Sequence, residues 1–408
     1  MAHPEPNPGV IPITRRPLLT STGEVAAYEL LYRLPAAAAG GEPTLAALAP
    51  LTDLLIQQLD SLTGGVPTIV RVPRTLLQEL QRLGLPPNVV FDLDIAATVS
   101  PALVETCASL VAAGRTLSFA GSRVDDTVRE LAPYARFIRF PHEALLPSQI
   151  AAVRALLRPG ARLIATGLDQ RAQFDRAQLA GYAGFEGQYY CEPIPGPAPS
   201  LTGQRVVYTK LLASLGQTDV VVTEIADLIK RDATITYRVL RCINSAGSGV
   251  RREVQSIQQA ILMLGLGQVR KWAAVWALAG LGNSAHPELV NVAAIRARAC
   301  ELLALATGHD EGEYFLLGLC SLMEAMTGRP LAELLDMMPL APEVIAALLG
   351  DRNHARSVLD LVQAYERGDW ATATARAAAL DIRFETLADS YSRSLQFVGE
   401  FLDSRAAA

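Results

Sequence analysis

The segment CEPIPGPAPSLTG (Cys191–Gly203) constrains this chain more than any other stretch, because no strand or helix can run through it. Its four prolines fix φ and remove amide donors. The rhythm differs on its two sides. Before it, short apolar, β-branched runs recur at Thr68–Val72, Val89–Ile95, Thr116–Ala120, Arg136–Phe140, Arg162–Ala165 and Gln188–Cys191. Helical patterns fall between them, as in Pro101–Ala113 behind Ser100, Asp125–Leu131 and Gln149–Leu157. Buried parallel strands with crossover helices read this way, which leaves a (β/α) barrel or a doubly wound sheet open. After the segment, from Val206 to about Ser404, apolar residues recur at helical spacing, as in Ala226, Ile229, Val239 and Ile243. The expected organisation is an α/β unit over 11–195, a Pro/Gly linker over 196–205 and an all-helical unit over 206–404.

Half of the residues are hydrophobic and 19% are charged, as in globular chains. The net charge of −5 is spread evenly, with 16 Arg against 18 acidic groups in residues 1–200. Neither half is basic, so no nucleic-acid partner is expected. Five cysteines without a C-x-x-C pair form neither a disulfide framework nor a zinc site and suit a reducing cytoplasm. The opening MAHPEPNPGVIPI has no signal-peptide pattern, and no apolar run approaches the ~20 residues of a membrane span. A cytoplasmic protein without a membrane partner is expected.

ITRRPLLTSTGEVAAYELLYR (Ile13–Arg33) carries Glu29, Leu31 and Arg33 in a Glu-x-Leu-x-Arg pattern, and FDLDI, TLSFAGS, FIRFP, LIATGLD and EGQYYCEPIP follow it in that order. Taken together, over about residues 11–195, these ordered motifs resemble the EAL domain, the cyclic di-GMP phosphodiesterase fold. The resemblance implies a TIM-like barrel and a two-metal hydrolytic site, which needs converging carboxylates and a lysine near the attacking water. Here the pattern departs. Pro73 stands near an expected asparagine, Phe119 and Ala120 align with an aspartate pair, and Thr166 aligns with a glutamate. Residues 1–209 contain no lysine, and Arg139 occupies the matching strand. Arginine stays protonated and cannot act as a base. Glu29 is then the one clear family carboxylate, with Asp92 or Asp94 as stand-ins, and its plain alternative is a structural acid paired with Arg33 or a barrel arginine.

IADLIKRDATITYRVLRCINSAGSG, followed by VQSIQQAILMLGLGQVRKW, resembles the HDOD domain, a relative of HD metal phosphohydrolases that lacks their ligands. Ser321 and Leu322 align with the HD pair. The dipeptide His309-Asp310 follows Gly308 in a loop pattern and reads as a chance match, with His309 exposed and no second histidine near enough to share a metal. Asn244 and Ser245 read as caps, and Trp272 and Trp276 as core.

The chain is therefore expected to be a non-enzymatic regulator or adaptor related to cyclic di-GMP signalling, with no metal, cofactor or catalytic residue. Its HDOD surface would bind a protein partner, with Arg251, Arg252, Arg270 and Lys271 rimming an apolar patch. Glu29, Leu31 and Arg33 are the candidate residues for weak cyclic di-GMP binding. The alternatives are a cyclic di-GMP phosphodiesterase on Glu29, Asp92 and Asp94, a receptor using the barrel, and an HD-type hydrolase at His309-Asp310.

Overall fold

The computed structural model describes residues 11–34, 45–95, 99–193, 254, 256–281, 287–336, 338 and 340–406, with Ala226, Ile229, Thr236 and Leu240. The chain divides into two compact units, Gly9–Glu192 and a second that begins at Pro193.

The first unit is a closed barrel of eight strands in sequence order. The strands are β1 (Ile13–Leu19), β2 (Val25–Tyr32), β3 (Thr68–Arg71), β4 (Val89–Asp94), β5 (Thr116–Ala120), β6 (Ala135–Pro141), β7 (Arg162–Thr166) and β8 (Gly184–Glu186). β1 runs antiparallel to β2 and β8, and every other neighbouring pair is parallel. Closure decides between the two architectures that periodicity leaves open. The outer helices are α1 (Leu45–Thr63), α2 (Leu77–Arg82), α3 (Pro101–Ala112), α4 (Asp126–Leu131), α5 (Pro147–Leu156) and α6 (Arg171–Ala180). Ser100 opens α3 as its composition suggests, its hydroxyl accepting from the Leu103 amide at 3.3 Å.

Alternation along the strands sorts side chains into layers. Leu18, Ala27, Ile69, Val90, Phe137 and Ile164 pack as one apolar plug inside the barrel. Two residues farther toward the C-terminal rim, the same faces of β2, β3, β4 and β6 carry Glu29, Arg71, Asp92 and Arg139. The antiparallel β1 supplies Arg16 at the matching level, paired with Glu29 in register. A charged layer thus sits on an apolar one, at the end where barrel sites form.

The expected strand Gln188–Cys191 is corrected: Tyr189–Cys191 is a 3₁₀ turn, and the last strand lies earlier, at Gly184–Glu186. Gly187 makes the break. Its φ is +154°, and a Cβ there would lie 2.0 Å from the Leu168 carbonyl oxygen.

In the second unit the described elements are helices: α7 (Ile257–Leu264), α8 (Leu266–Leu281), α9 (Pro287–Thr307), α10 (Glu311–Cys320), α11 (Met323–Thr327), α12 (Leu331–Leu335), α13 (Pro342–Leu348), α14 (His354–Glu366), α15 (Trp370–Ala379) and α16 (Phe384–Ala406). α9 is buried on nearly every side and packs against α8, α10, α14 and α16, so it forms the axis of this unit. α10 approaches it closely because Gly318 has no side chain; a Cβ there would lie 2.5 Å from the Arg296 carbonyl and the Ala297 amide.

Candidate functional site

Arg139 is the centre of the barrel's charged layer. Its guanidinium is 4% exposed and meets three carboxylates. Nη2 lies 2.6 Å from Glu29 Oε1 and 2.6 Å from Glu186 Oε2, and Nη1 lies 3.0 Å from Asp92 Oδ2. Nε also donates to Glu186 Oε2, at 3.1 Å. Two more arginines close the cluster: Arg16 Nη1 donates to Glu186 Oε1 at 2.9 Å, and Arg71 donates to Asp92 Oδ2 through Nε and Nη2 at 3.1 and 2.9 Å. Ser118 Oγ donates to Asp92 Oδ1 at 2.6 Å. Three carboxylates face three guanidiniums, so the layer is formally neutral.

The electrostatics follow from depth. Burial disfavours the Arg139 cation, but Glu186, Glu29 and Asp92 more than offset it and raise its pKa well above the ordinary arginine value. Burial drives the Glu29 carboxyl above the usual carboxylate range; Arg139 counters this and Glu186 reinforces it. Burial works against Glu186 too, yet Arg139 and then Arg16 outweigh it and hold its pKa below that range. Glu186 therefore carries the firm negative charge. Of the two glutamates, Glu29 is the nearer to accepting a proton, and its Oε2, 3.5 Å from Arg16 Nη1, accepts no hydrogen bond.

A divalent metal pair does not fit this arrangement. Metal ligation needs carboxylate lone pairs free to converge on the ion, and here those of Glu29, Asp92 and Glu186 meet guanidinium groups. Among the described residues, no group of three or more His, Cys, Asp or Glu side chains is arranged to hold a metal.

The sequence reading credited the layer with one clear carboxylate, and the structure assembles three. Glu186 escapes the sequence reading because the last strand is expected at Gln188–Cys191, beyond it, whereas it ends the strand Gly184–Glu186. The signal was its position two residues beyond Gly184, the spacing that places Asp92 beyond Val90. Of the other barrel candidates, Leu31 is half-buried in β2 and Arg33 is exposed just beyond it, so neither joins Glu29 in the layer. Asp94 is exposed at the end of β4, where its carbonyl accepts from Arg74. Phe119 is buried and Ala120 ends β5, so neither can ligate.

The helical unit holds a comparable pair. Arg296 on α9 binds Glu366 on α14 through two parallel bonds, Nε to Oε2 at 2.8 Å and Nη2 to Oε1 at 2.9 Å. Its Nη1 donates to Ser321 Oγ at 3.0 Å. Ser321, aligned with the HD pair, thus follows α10 and serves an arginine; its partner Leu322 is buried.

His309 is exposed as expected, and Asp310 caps α10, its Oδ1 accepting from the Glu313 amide at 2.9 Å. A second histidine lies beside His309, but among the described residues the pair belongs to no group arranged to hold a metal. His354 stacks on His309 with ring centroids 3.9 Å apart and planes 10° apart. Stacked imidazoles direct their in-plane lone pairs side by side rather than toward one ion. His354 Nδ1 is within 2.7 Å of the Tyr314 hydroxyl, and His309 Nδ1 is 3.1 Å from Thr307 Oγ1.

Of the expected partner-binding residues, Arg251 and Arg252 lie outside the described residues, as do Asn244, Ser245 and the segment 196–205. Arg270 and Lys271 fall on α8, and the Lys271 ammonium pairs with buried Glu301, which Arg298 also binds at 2.6 Å. Trp276 is buried in α8, as a core residue would be.

Residues 201–327 match the HDOD domain family. Over 96% of its length the chain is 26% identical to the uncharacterised protein YuxH of Bacillus subtilis, covering 99% of that protein. It is 25% identical to the cyclic di-GMP phosphodiesterase CdgJ of Vibrio cholerae, over 88% of this chain and 85% of that one. An EAL domain protein of Listeria monocytogenes superposes on 46% of this chain and 90% of its own, with a TM-score of 0.35 and 17% identity. No helix among the described residues is long and apolar enough to cross a membrane. The chain pairs a closed eight-stranded barrel, whose motif order resembles the EAL domain, with an HDOD domain at residues 201–327.

Proposed function

We propose that this chain is a non-catalytic regulator related to cyclic di-GMP signalling, acting through a protein partner of its HDOD domain. The observation that carries the reading is Arg139 bound to Glu29, Asp92 and Glu186. A metal entering this layer must first displace the guanidinium. Stripping one partner from a buried ion pair costs about 3–5 kcal/mol. That penalty weakens metal affinity by roughly two to four powers of ten. Arg139 also has no accessible neutral form with which to deprotonate a water. The similarity to a cyclic di-GMP phosphodiesterase supports the signalling context, while the closed charge layer speaks against turnover.

A second reading, metal-free binding of cyclic di-GMP at the barrel mouth, is favoured by Arg71, whose side chain is half exposed while its guanidinium pairs with Asp92. One experiment addresses both. The purified full chain is incubated with cyclic di-GMP and Mg²⁺ or Mn²⁺, and product and binding are followed together. No turnover is expected. Sustained hydrolysis abolished by Glu29→Ala overturns the regulator reading, and saturable binding without hydrolysis favours the receptor.

A further inference from the structure

We propose that a cavity between α9 and α16 in the helical unit binds a free aliphatic α-amino acid; this site is independent of the barrel reading. The cavity measures about 250 Å³. An apolar cavity of about 150 Å³ takes benzene, and drug-sized ligands fill roughly 300–1,000 Å³. A single amino acid is the size class between them.

The lining is built from two helix faces. Leu302, Leu305 and Ala306 stand at i, i+3 and i+4 on α9, and Thr386, Asp389, Ser390 and Arg393 keep the same spacing on α16. The turn ahead of α16 adds Asp381, Ile382 and Arg383. Leu305 is 51% exposed although it lines a concave wall, so an apolar occupant would remove it from water. Ser390 is 4% exposed and lines the cavity, where its hydroxyl can donate or accept.

The charges say which ligand. Asp381 and Asp389 face Arg383 and Arg393, equal numbers of either sign around one small space. The one ion pair among them, Arg393 with Asp389, spans 3.7 Å and leaves hydrogen-bonding capacity on both groups. Asp381 is held at φ +56°, the only non-glycine at positive φ among the described residues. A zwitterion meets this set: its carboxylate takes a guanidinium and the Ser390 hydroxyl, and its ammonium takes an aspartate. Its side chain lies on Leu302, Leu305 and Ile382, which are aliphatic rather than aromatic.

L-leucine is the probe, titrated into the full chain by calorimetry. Three analogues run beside it: 4-methylpentanoate lacks the ammonium, isopentylamine lacks the carboxylate, and N-acetyl-L-leucine mimics a chain end. Saturable binding of one leucine is expected, with each analogue weaker by about tenfold or more, since each loses a charged hydrogen bond. Arg393→Ala, at a solvent-facing edge, is expected to weaken leucine by a similar factor with the melting temperature unchanged. Absence of saturable leucine binding, equal binding of either one-charge analogue, or an unaltered affinity in Arg393→Ala overturns the proposal. N-acetyl-L-leucine binding as well as leucine also overturns it, in favour of a peptide terminus.

Discussion

Arg139→Ala is the substitution that tests the barrel most directly. It removes the cation shared by Glu29, Asp92 and Glu186. Glu186 keeps Arg16 and Asp92 keeps Arg71, so Glu29, whose remaining cation is 3.5 Å away, bears most of the loss. The expected destabilisation at neutral pH is about 3–5 kcal/mol, the scale of a broken buried pair. The sign of its pH dependence follows from Glu29. Its folded pKa is already raised by burial, so the stability linked to it is present in acid and is lost as pH rises through the folded value. Removing Arg139 raises that value further, and the deficit relative to the native chain should grow from pH 5 to pH 8. The same variant should gain a metal response. Three carboxylates without their central guanidinium can share a divalent ion, and Mn²⁺ at a hundred times its Kd would restore about 2.7 kcal/mol. Urea unfolding of both proteins with and without Mn²⁺ reads both effects. If Mn²⁺ stabilises the native chain as much as the variant, its carboxylates are open to metal and the argument for a closed site fails.

The pair in the helical unit should behave in parallel. Arg296→Met leaves Glu366 buried without its two bonds and should cost about 3–5 kcal/mol, whereas adding Glu366→Leu should recover most of it; a single-variant loss below about 1 kcal/mol in urea unfolding would show that the pair is solvated. His354 gives a pH signature of the opposite sign to Glu29. Burial and then the facing His309 lower its pKa, so its contribution is complete above the ordinary histidine pKa and is lost as pH falls through the folded value. His354→Gln should flatten the fall in melting temperature between pH 7 and pH 5, and an unchanged profile would refute the assignment.

The barrel strands were legible because each central run is β-branched and apolar, as in Thr68–Arg71 and Val89–Asp94. β8 was not, because a three-residue strand ending at a glycine-imposed turn carries too little pattern to separate from a loop. The charged layer was half legible. Glu29 and Arg139 stood out as a family match and a departure from it, and Asp92 as a stand-in. Glu186, Arg16 and Arg71 become partners only when β8 closes against β1 and the strands fall into register. The stack of His309 on His354 has the same origin, since it needs the start of α14 to meet the loop between α9 and α10.

Arginine takes the central place in both units, and the chemistry of that choice bears on function. A lysine at position 139 could shed its proton in a buried site and act as a base. Arginine cannot, and its planar fork spans several carboxylates at once, as Arg139 does with Glu29, Asp92 and Glu186 and Arg296 does with Glu366. Such buried pairs add little net stability over well-packed apolar groups, so stability alone does not account for them. They fix geometry instead. Each holds distant strands or helices to one arrangement by bonds that are costly to break singly, and each occupies the acidic groups that a metal would need. A scaffold locked in this way keeps its core geometry, as the proposed regulator would require.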